Sequence, residues 1–384
     1  MLYEVTAGNN KTFPLVILSE AKNLTGFARV KLLRAERSFC NNLRYLDHLE
    51  KEKVVEQENH ILQDEFDQSQ EIIGKLSNYY DSKVVGQRMM KFALVAAVMA
   101  DGHILVESVP GLAKTTAAKA ISDAVDGKFS RIQCTPDLLP SDIIGTQIYN
   151  QSSGRFETIL GPVFANFVLL DEINRSSAKT QSAMLEAMQE RHVTIGGVTY
   201  QMPEDVFIVI ATQNPIEQEG TYLLSEAQTD RFLIKEKITY PSPEEETEIL
   251  NRIESGAMEK TPAVLSIQDV DRLQAITEKV YVDPAIKKYI SYLIDATRHV
   301  DSVLPEELAR YVRMGASPRA SIAFLKIAKA VALLYGRTYV TPDDVKALRY
   351  QVLRHRIELN YAAIADDVSV ETIIDKIFGS IRTP

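Results

Sequence analysis

From Leu49 through Val54, Ile61, Leu62, Phe66, Ile72, Ile73 and Leu76, apolar residues recur at helical spacing with Glu and Asp between them. The pattern predicts an amphipathic helix that packs its apolar stripe on a larger body. Upstream, short apolar runs are broken by Lys22, Arg29, Lys31, Arg34 and Arg37 with no sustained period. Residues 1–45 are therefore expected to be a basic, disordered tail. Their stretch "VILSEAKNL" resembles translated genomic repeat sequence, which makes a mis-called start without function the expectation there. After Val84 the pattern changes. Apolar runs at Ile104 to Val106, Phe167 to Leu170 and Val206 to Ala211 alternate with helical stretches, predicting a parallel sheet with crossover helices. From about Pro241 onward the periods are helical, at Asp269 to Val280, Pro284 to His299 and Ser317 to Tyr335. The chain then divides into a tail (1–45), an amphipathic helical segment (46–80), an α/β core (81–238) and a helical domain (239–384).

Composition narrows the class. At 384 residues the chain is long enough for two domains, each with its own core. A formal charge of -9 argues against a body built mainly to grip nucleic-acid phosphates. Cys40 and Cys134 have no metal-type spacing and suit a reducing compartment. The longest apolar run, around Phe92 to Met99, is far short of the roughly 18 residues that span a bilayer. No signal peptide is apparent, and a cytoplasmic protein is expected.

Candidate chemistry starts at "HILVESVPGLAKTT", residues 103–116. A phosphate cradle needs inward-facing backbone N–H groups at a helix start, a lysine for the β- and γ-phosphates and a hydroxyl for Mg²⁺. Lys114 and Thr115 supply the last two, and Gly111 the bend. Ser108 and Ala113 stand where G-x-x-x-x-G-K-[ST] has glycine; both are small enough for close backbone approach. The alternative is an ordinary strand-turn-helix junction. "FVLLDEIN" then ends an apolar strand in Asp171 and Glu172, where open α/β sheets bind ligands. One carboxylate can hold Mg²⁺ through its water shell while the next deprotonates an attacking water. "VFIVIATQNP" ends in Asn214, an amide able to orient that water. "EAQTDRF" carries Arg231, which either pairs with Asp230 or reaches a neighbour's γ-phosphate. "GASPRA" puts Arg319 near a helix N-terminus, where a phosphate partner would offset the unfavourable helix dipole.

These pieces resemble the MoxR branch of the AAA+ ATPases. "VVGQ", "VPGLAKT", "CTPDLLPSDIIGT", "LLDEINRSSAKTQSAMLEAMQERHVTI", "ATQNPIEQEGTYLLSEAQTDRF", "GASPRAS" and "YVTPDDVKALRYQVLRHRI" carry the likeness over roughly three-quarters of the chain. Ala113 is the family's habit, and Ser108 is a departure from it. The resemblance implies an AAA+ P-loop core with a C-terminal helical lid, using ATP and Mg²⁺. It implies that Val84, Val85 and Gly86 border the adenine. Pro110, Gly111, Leu112, Ala113, Lys114, Thr115 and Thr116 would form the phosphate loop, with Thr115 and Asp171 as metal residues. Glu172 would be the base, Asn214 the first sensor, Arg231 the arginine finger, and Arg319 the second sensor, reporting γ-phosphate to the lid. Arg175 would lie at the subunit junction.

"TQIYNQSSGRFETI" and "HVTIGGVTYQM" each alternate apolar and polar residues around a Gly-containing turn and read as hairpins. In the family they face a ring's centre. A homo-hexamer with a protein client is implied, with a partner that bears a von Willebrand A domain; this chain has no D-x-S-x-S, so that domain belongs to another polypeptide. A nucleic-acid motor would want basic hairpin tips, and Gln151 to Gly154 and Gly196-Gly197 offer none. A metal-chelatase motor subunit is the remaining alternative. GTP is disfavoured because no N-K-x-D appears.

Overall fold

The computed structural model describes residues 2–7, 11–16, 61–109, 114–215, 222–256 and 261–384. The chain forms two units, Met1–His60 and Ile61–Pro384. In the first, Leu2–Ala7 and Lys11–Val16 pair as an antiparallel hairpin within the stretch expected to be a disordered tail. The expected helical segment upstream of Ile61 lies outside the described residues.

The second unit is organised by five parallel strands, β1 (Ile104–Glu107), β2 (Phe129–Gln133), β3 (Phe167–Asp171), β4 (Ile208–Gln213) and β5 (Ile234–Lys237). Their order across the sheet is β5-β1-β4-β3-β2. Register aligns Ile104 with Ile210 and with Ile234, and Leu169 with Ile210. Successive side chains of a strand face opposite ways. Ile104, Val106, Phe167, Leu169, Ile208 and Ile210 accordingly join one core, while Leu105, Val168, Leu170, Val209 and Ala211 join another. Both faces are covered, which explains why the central strands read as unbroken apolar runs.

The first core continues without interruption into the C-terminal helices Ile267–Glu278, Pro284–Arg298, Pro318–Leu334 and Val370–Ser380. Their starts are capped by side chains: Asp283 accepts from the Ala285 N–H at 2.7 Å, and Ser266 and Asp269 form a reciprocal capping box. The helical domain is not wholly helical. Val312–Met314 pairs with Glu358–Leu359 as a small antiparallel ribbon, too short to leave an alternating pattern in the sequence. Both expected hairpins are present, Gly145–Asn150 with Arg155–Leu160 and His192–Ile195 with Val198–Gln201. Among the described residues no helix is long and apolar enough to cross a membrane.

Within the amphipathic segment the structure has one helix, Gln63–Lys83. It buries Ile72, Ile73, Leu76, Tyr79 and Tyr80 in the same core as the sheet, and Leu76 and Tyr80 are wholly inaccessible. Lys279 binds Glu65 at 2.6 Å and ties the helix to the C-terminal domain. A helix packed this way belongs to the fold. Leu76→Ala is expected to lower unfolding free energy by about 2–5 kcal/mol through lost burial and the cavity left behind. Urea unfolding of the full chain measures it; a change under about 0.5 kcal/mol, typical of surface sites, would contradict this packing.

Candidate active site

The buried strand β3 delivers Asp171 to its C-terminal end with the carboxylate almost inaccessible. Each oxygen has a partner: Thr212 Oγ1 donates to Oδ1 at 2.8 Å, and Arg131 Nη2 to Oδ2 at 2.6 Å. Glu172 follows with φ of 58°, in the left-handed region that non-glycine residues rarely occupy. Its amide donates to the same Thr212 hydroxyl at 2.9 Å, so one side chain of β4 braces both acidic positions. Glu172 Oε2 accepts from Gln133 Nε2 at 3.1 Å and from Arg175 Nη1 at 3.0 Å. Strained backbone held by such bracing is common at functional sites.

Asn214 leaves β4 beside them, buried, with its main chain bonded to the Asn174 side chain at 3.2 and 3.4 Å. Ser108 is buried at the exit of β1; its amide bonds to Gln213 and its hydroxyl turns onto the Val109 carbonyl at 3.1 Å. Pro110, Gly111, Leu112, Ala113 and the Lys114 side chain lie outside the described residues. The helix Lys114–Asp123 begins where the loop ends, with Thr115 half-buried and Thr116 exposed. Cys134 follows β2; burial pushes its thiol up to about 12, which removes it as a nucleophile.

The oxygen donors present, the Asp171 carboxylate and the Thr115 hydroxyl, are of the hard kind that Mg²⁺ takes. Among the described residues no group of three or more His, Cys, Asp or Glu side chains could hold a metal.

Val84, Val85 and Gly86 line a cavity of about 600 Å³ between the helix Gln63–Lys83 and the helix Pro243–Glu254. Gly86 has φ of +66°, and a Cβ there would overlap the Glu245 carboxylate, which caps its own helix by accepting from the Ser242 amide at 2.9 Å. The positive φ favours glycine at this position.

Arg231 and Arg319 are elsewhere. They line a second cavity, of about 300 Å³, together with Asp101, Gly102, His103, Phe232 and Leu233. Asp101 to His103 precede the first residue of β1, and Phe232 and Leu233 the first residue of β5. Since the strands are parallel, this cavity adjoins their N-terminal ends, whereas Asp171 and Ser108 stand at their C-terminal ends. The four residues of β1 span about 13 Å at ~3.3 Å each. The structure brings Arg231 and Arg319 together and keeps both away from Asp171 and Glu172. Arg319 Nη2 donates to Gln189 Oε1 at 3.1 Å, and Nη1 lies 4.0 Å from Asp230 Oδ2. Arg231 Nε is buried without a hydrogen-bond partner among the described residues.

The family model described as "ATPase family associated with various cellular activities (AAA)" matches residues 103–234, and the one described as "AAA lid domain" matches residues 306–377. The chain is 48% identical over 301 residues to Chaperone MoxR1 of Mycobacterium tuberculosis, covering 78% of this chain and 79% of that one. The chain belongs to the MoxR family of AAA+ ATPases. Protein MoxR of Paracoccus denitrificans is 30% identical over 319 residues, with 78% of this chain and 93% of that protein covered. A solved structure of a candidate ATPase from Cytophaga hutchinsonii superposes with a TM-score of 0.77 at 44% identity, over 83% of this chain and 97% of that one.

In this MoxR-family chain the matched core carries Asp171, Glu172, Asn214 and Arg231, and the matched lid carries Arg319. Four polar residues around these positions were not singled out from the sequence. Thr212, Arg131 and Gln133 act through cross-strand contacts that no local spacing reveals. His103 is the fourth. The Val209 amide donates to its Nδ1 at 3.1 Å, so Nε2 carries the proton and donates to the Met188 carbonyl at 3.2 Å.

Burial, aided by the Arg191 charge, lowers the His103 pKa from 6.5 to about 4. Between those values the unfolded chain binds a proton that the fold refuses, so this contribution is full above pH 6.5 and lost as pH falls toward 4. About 2 kcal/mol should disappear between pH 7 and pH 5. Calorimetry at the two pH values is expected to show a smaller loss of Tm for His103→Gln than for the parent. An equal loss would contradict a neutral buried imidazole.

Proposed function

We propose that this chain hydrolyses ATP with Mg²⁺ as part of a cytoplasmic ring, a homo-hexamer, and uses the cycle to mature or activate other protein complexes. The observation that carries the reading is the division of its charged residues between the two ends of one sheet. Asp171, Glu172 and Ser108 stand at the C-terminal ends of the strands; Arg231 and Arg319 gather at the other. A closed ring of identical subunits can bring one end of each molecule to the opposite end of the next.

In this reading Lys114 binds the β- and γ-phosphates, and Val84, Val85 and Gly86 enclose the base. Glu172 takes the proton of the attacking water, and Asn214 orients that water. Bound Mg²⁺, held through Thr115 and Asp171, would supply charge neutralisation on the phosphate oxygens. Arg231 and Arg319 reach the neighbour's γ-phosphate. A finger arginine of this kind can contribute ~10³–10⁵ in rate.

The chaperone role rests on the relative named Chaperone MoxR1 and on the two hairpins. Tyr149 and Phe156 pack edge to face at 5.3 Å, yet both stay exposed, Phe156 by 68%. Tyr200 of the second hairpin donates to Thr158 of the first at 2.9 Å, which joins the two hairpins. Their tips carry no basic residue, which favours a polypeptide client over nucleic acid. The von Willebrand A domain partner of the proposal is a separate chain.

Glu172→Gln is expected to retain ATP while turnover becomes nearly undetectable; steady-state hydrolysis with parallel nucleotide-binding titration reads both. Unchanged turnover would rule out Glu172 as the base. Mixing Lys114→Ala with Arg231→Ala subunits is expected to restore part of the lost hydrolysis, because some junctions then pair an intact pocket with an intact arginine. No restoration at any ratio would count against action between subunits.

A further inference from the structure

Arg356 lies just beyond the helix Arg349–Leu353 and is 7% exposed. Its guanidinium donates to the Asp230 carboxylate at 2.7 Å and to the carbonyls of Asp230, Phe232 and Leu233 at 3.3, 2.6 and 3.1 Å. A fifth bond, to the Val352 carbonyl at 2.6 Å, anchors it in its own domain. Four of these bonds fall on the turn that carries Arg231. The preceding residues grip the same segment. His355 Nε2 lies 3.2 Å from the Phe232 carbonyl, and Arg354 Nη1 donates to the Lys235 carbonyl at 3.2 Å.

The other Asp230 oxygen accepts from the Ser317 hydroxyl at 2.7 Å, and Ser317 caps the helix that bears Arg319. One carboxylate thus connects the Arg231 turn, the Arg319 helix and Arg356. Arg231 Nε is buried with no hydrogen-bond partner among the described residues, so the path of its backbone contributes to its aim.

We propose that Arg356 is a positioning residue for hydrolysis in the adjacent subunit: by clamping Asp230 to Leu233 onto the lid, it makes Arg231, Arg319 and the lid one rigid body. Lid movement in one subunit then displaces both arginines at its neighbour's phosphates together. The planar five-donor fork is needed for this, because lysine offers a single charge and cannot serve the carboxylate and three carbonyls at once. The inference rests on the reading that Arg231 acts on a neighbour.

The test uses full-chain Arg356→Lys with Mg²⁺ and ATP. Misplacing a catalytic group by about 1 Å can cost ~10²-fold, so kcat should fall by about that factor while KM for ATP is unchanged. Mixing Arg356→Lys with Lys114→Ala subunits should restore hydrolysis, since the Lys114→Ala partner presents a correctly held Arg231. Mixing Arg356→Lys with Arg231→Ala should not, since no subunit then presents one. Unchanged kcat, a raised KM with kcat intact, or recovery in the second mixture would each overturn the clamp. Failure of the Lys114→Ala and Arg231→Ala mixture would instead strike the reading on which it rests. If recovery occurs in that pair but not with Arg356→Lys and Lys114→Ala, the clamp alone is refuted. Should Arg356→Lys fail to assemble, Asp230→Asn, which weakens the same bonds at constant volume, must reproduce the mixing pattern or the proposal falls.

Discussion

A parallel sheet buried on both faces can be polar only at its ends. The side chains of Ile104 to Val106, Phe167 to Leu170 and Ile208 to Ala211 each join one hydrophobic core or the other, and the ladder consumes the backbone donors and acceptors. In these three central strands charged residues are therefore displaced to where the strands start and stop. Asp171, Glu172, Asn214 and Ser108 sit where they stop. His103, Asp101 and the Arg231 turn sit where they start. The proposed chemistry and the proposed action between subunits both build on that exclusion.

At the C-terminal ends, polar groups are few and shared. Thr212 offers its hydroxyl proton to Asp171 and its lone pair to the Glu172 amide, so one β4 side chain sets a carboxylate and a left-handed backbone turn together. Arg131 and Gln133, on the edge strand β2, reach inward to the same two acids. Arg131 is half exposed, so its charge is screened by solvent and the pair contributes modestly to stability. Its consequence is geometric, since it holds the Asp171 carboxylate in one orientation.

At the opposite ends the economy is the reverse, with one buried cation serving many acceptors. Arg356 satisfies carbonyls that a turn against the lid would otherwise leave unpaired, and unpaired buried carbonyls are costly. The lid is thus welded to the core twice: through the continuous apolar core shared by Leu76, Phe324 and Ile374, and through the polar hub at Asp230. Under the proposed clamp, a lid so attached moves the Arg231 turn with it.

Much was legible from the sequence because it depends on neighbours along the chain. Apolar runs at Phe167 to Leu170 and Val206 to Ala211 can satisfy a two-sided burial only as central strands, and Asp171-Glu172 after such a run can only lie at its end. Capping residues such as Asp283 and Ser317 act within three positions, and so did the two hairpin turns. Other features are contacts between distant segments. Thr212 with Glu172, Arg131 with Asp171, and Arg356 with Asp230 are separated by 40 or more residues. The sequence by itself determined which chemical groups stand at strand ends. Only the tertiary structure decided how the ends of different strands line up, because strand direction and order are set by packing both sheet faces, and that alignment parts Arg231 and Arg319 from Asp171 and Glu172.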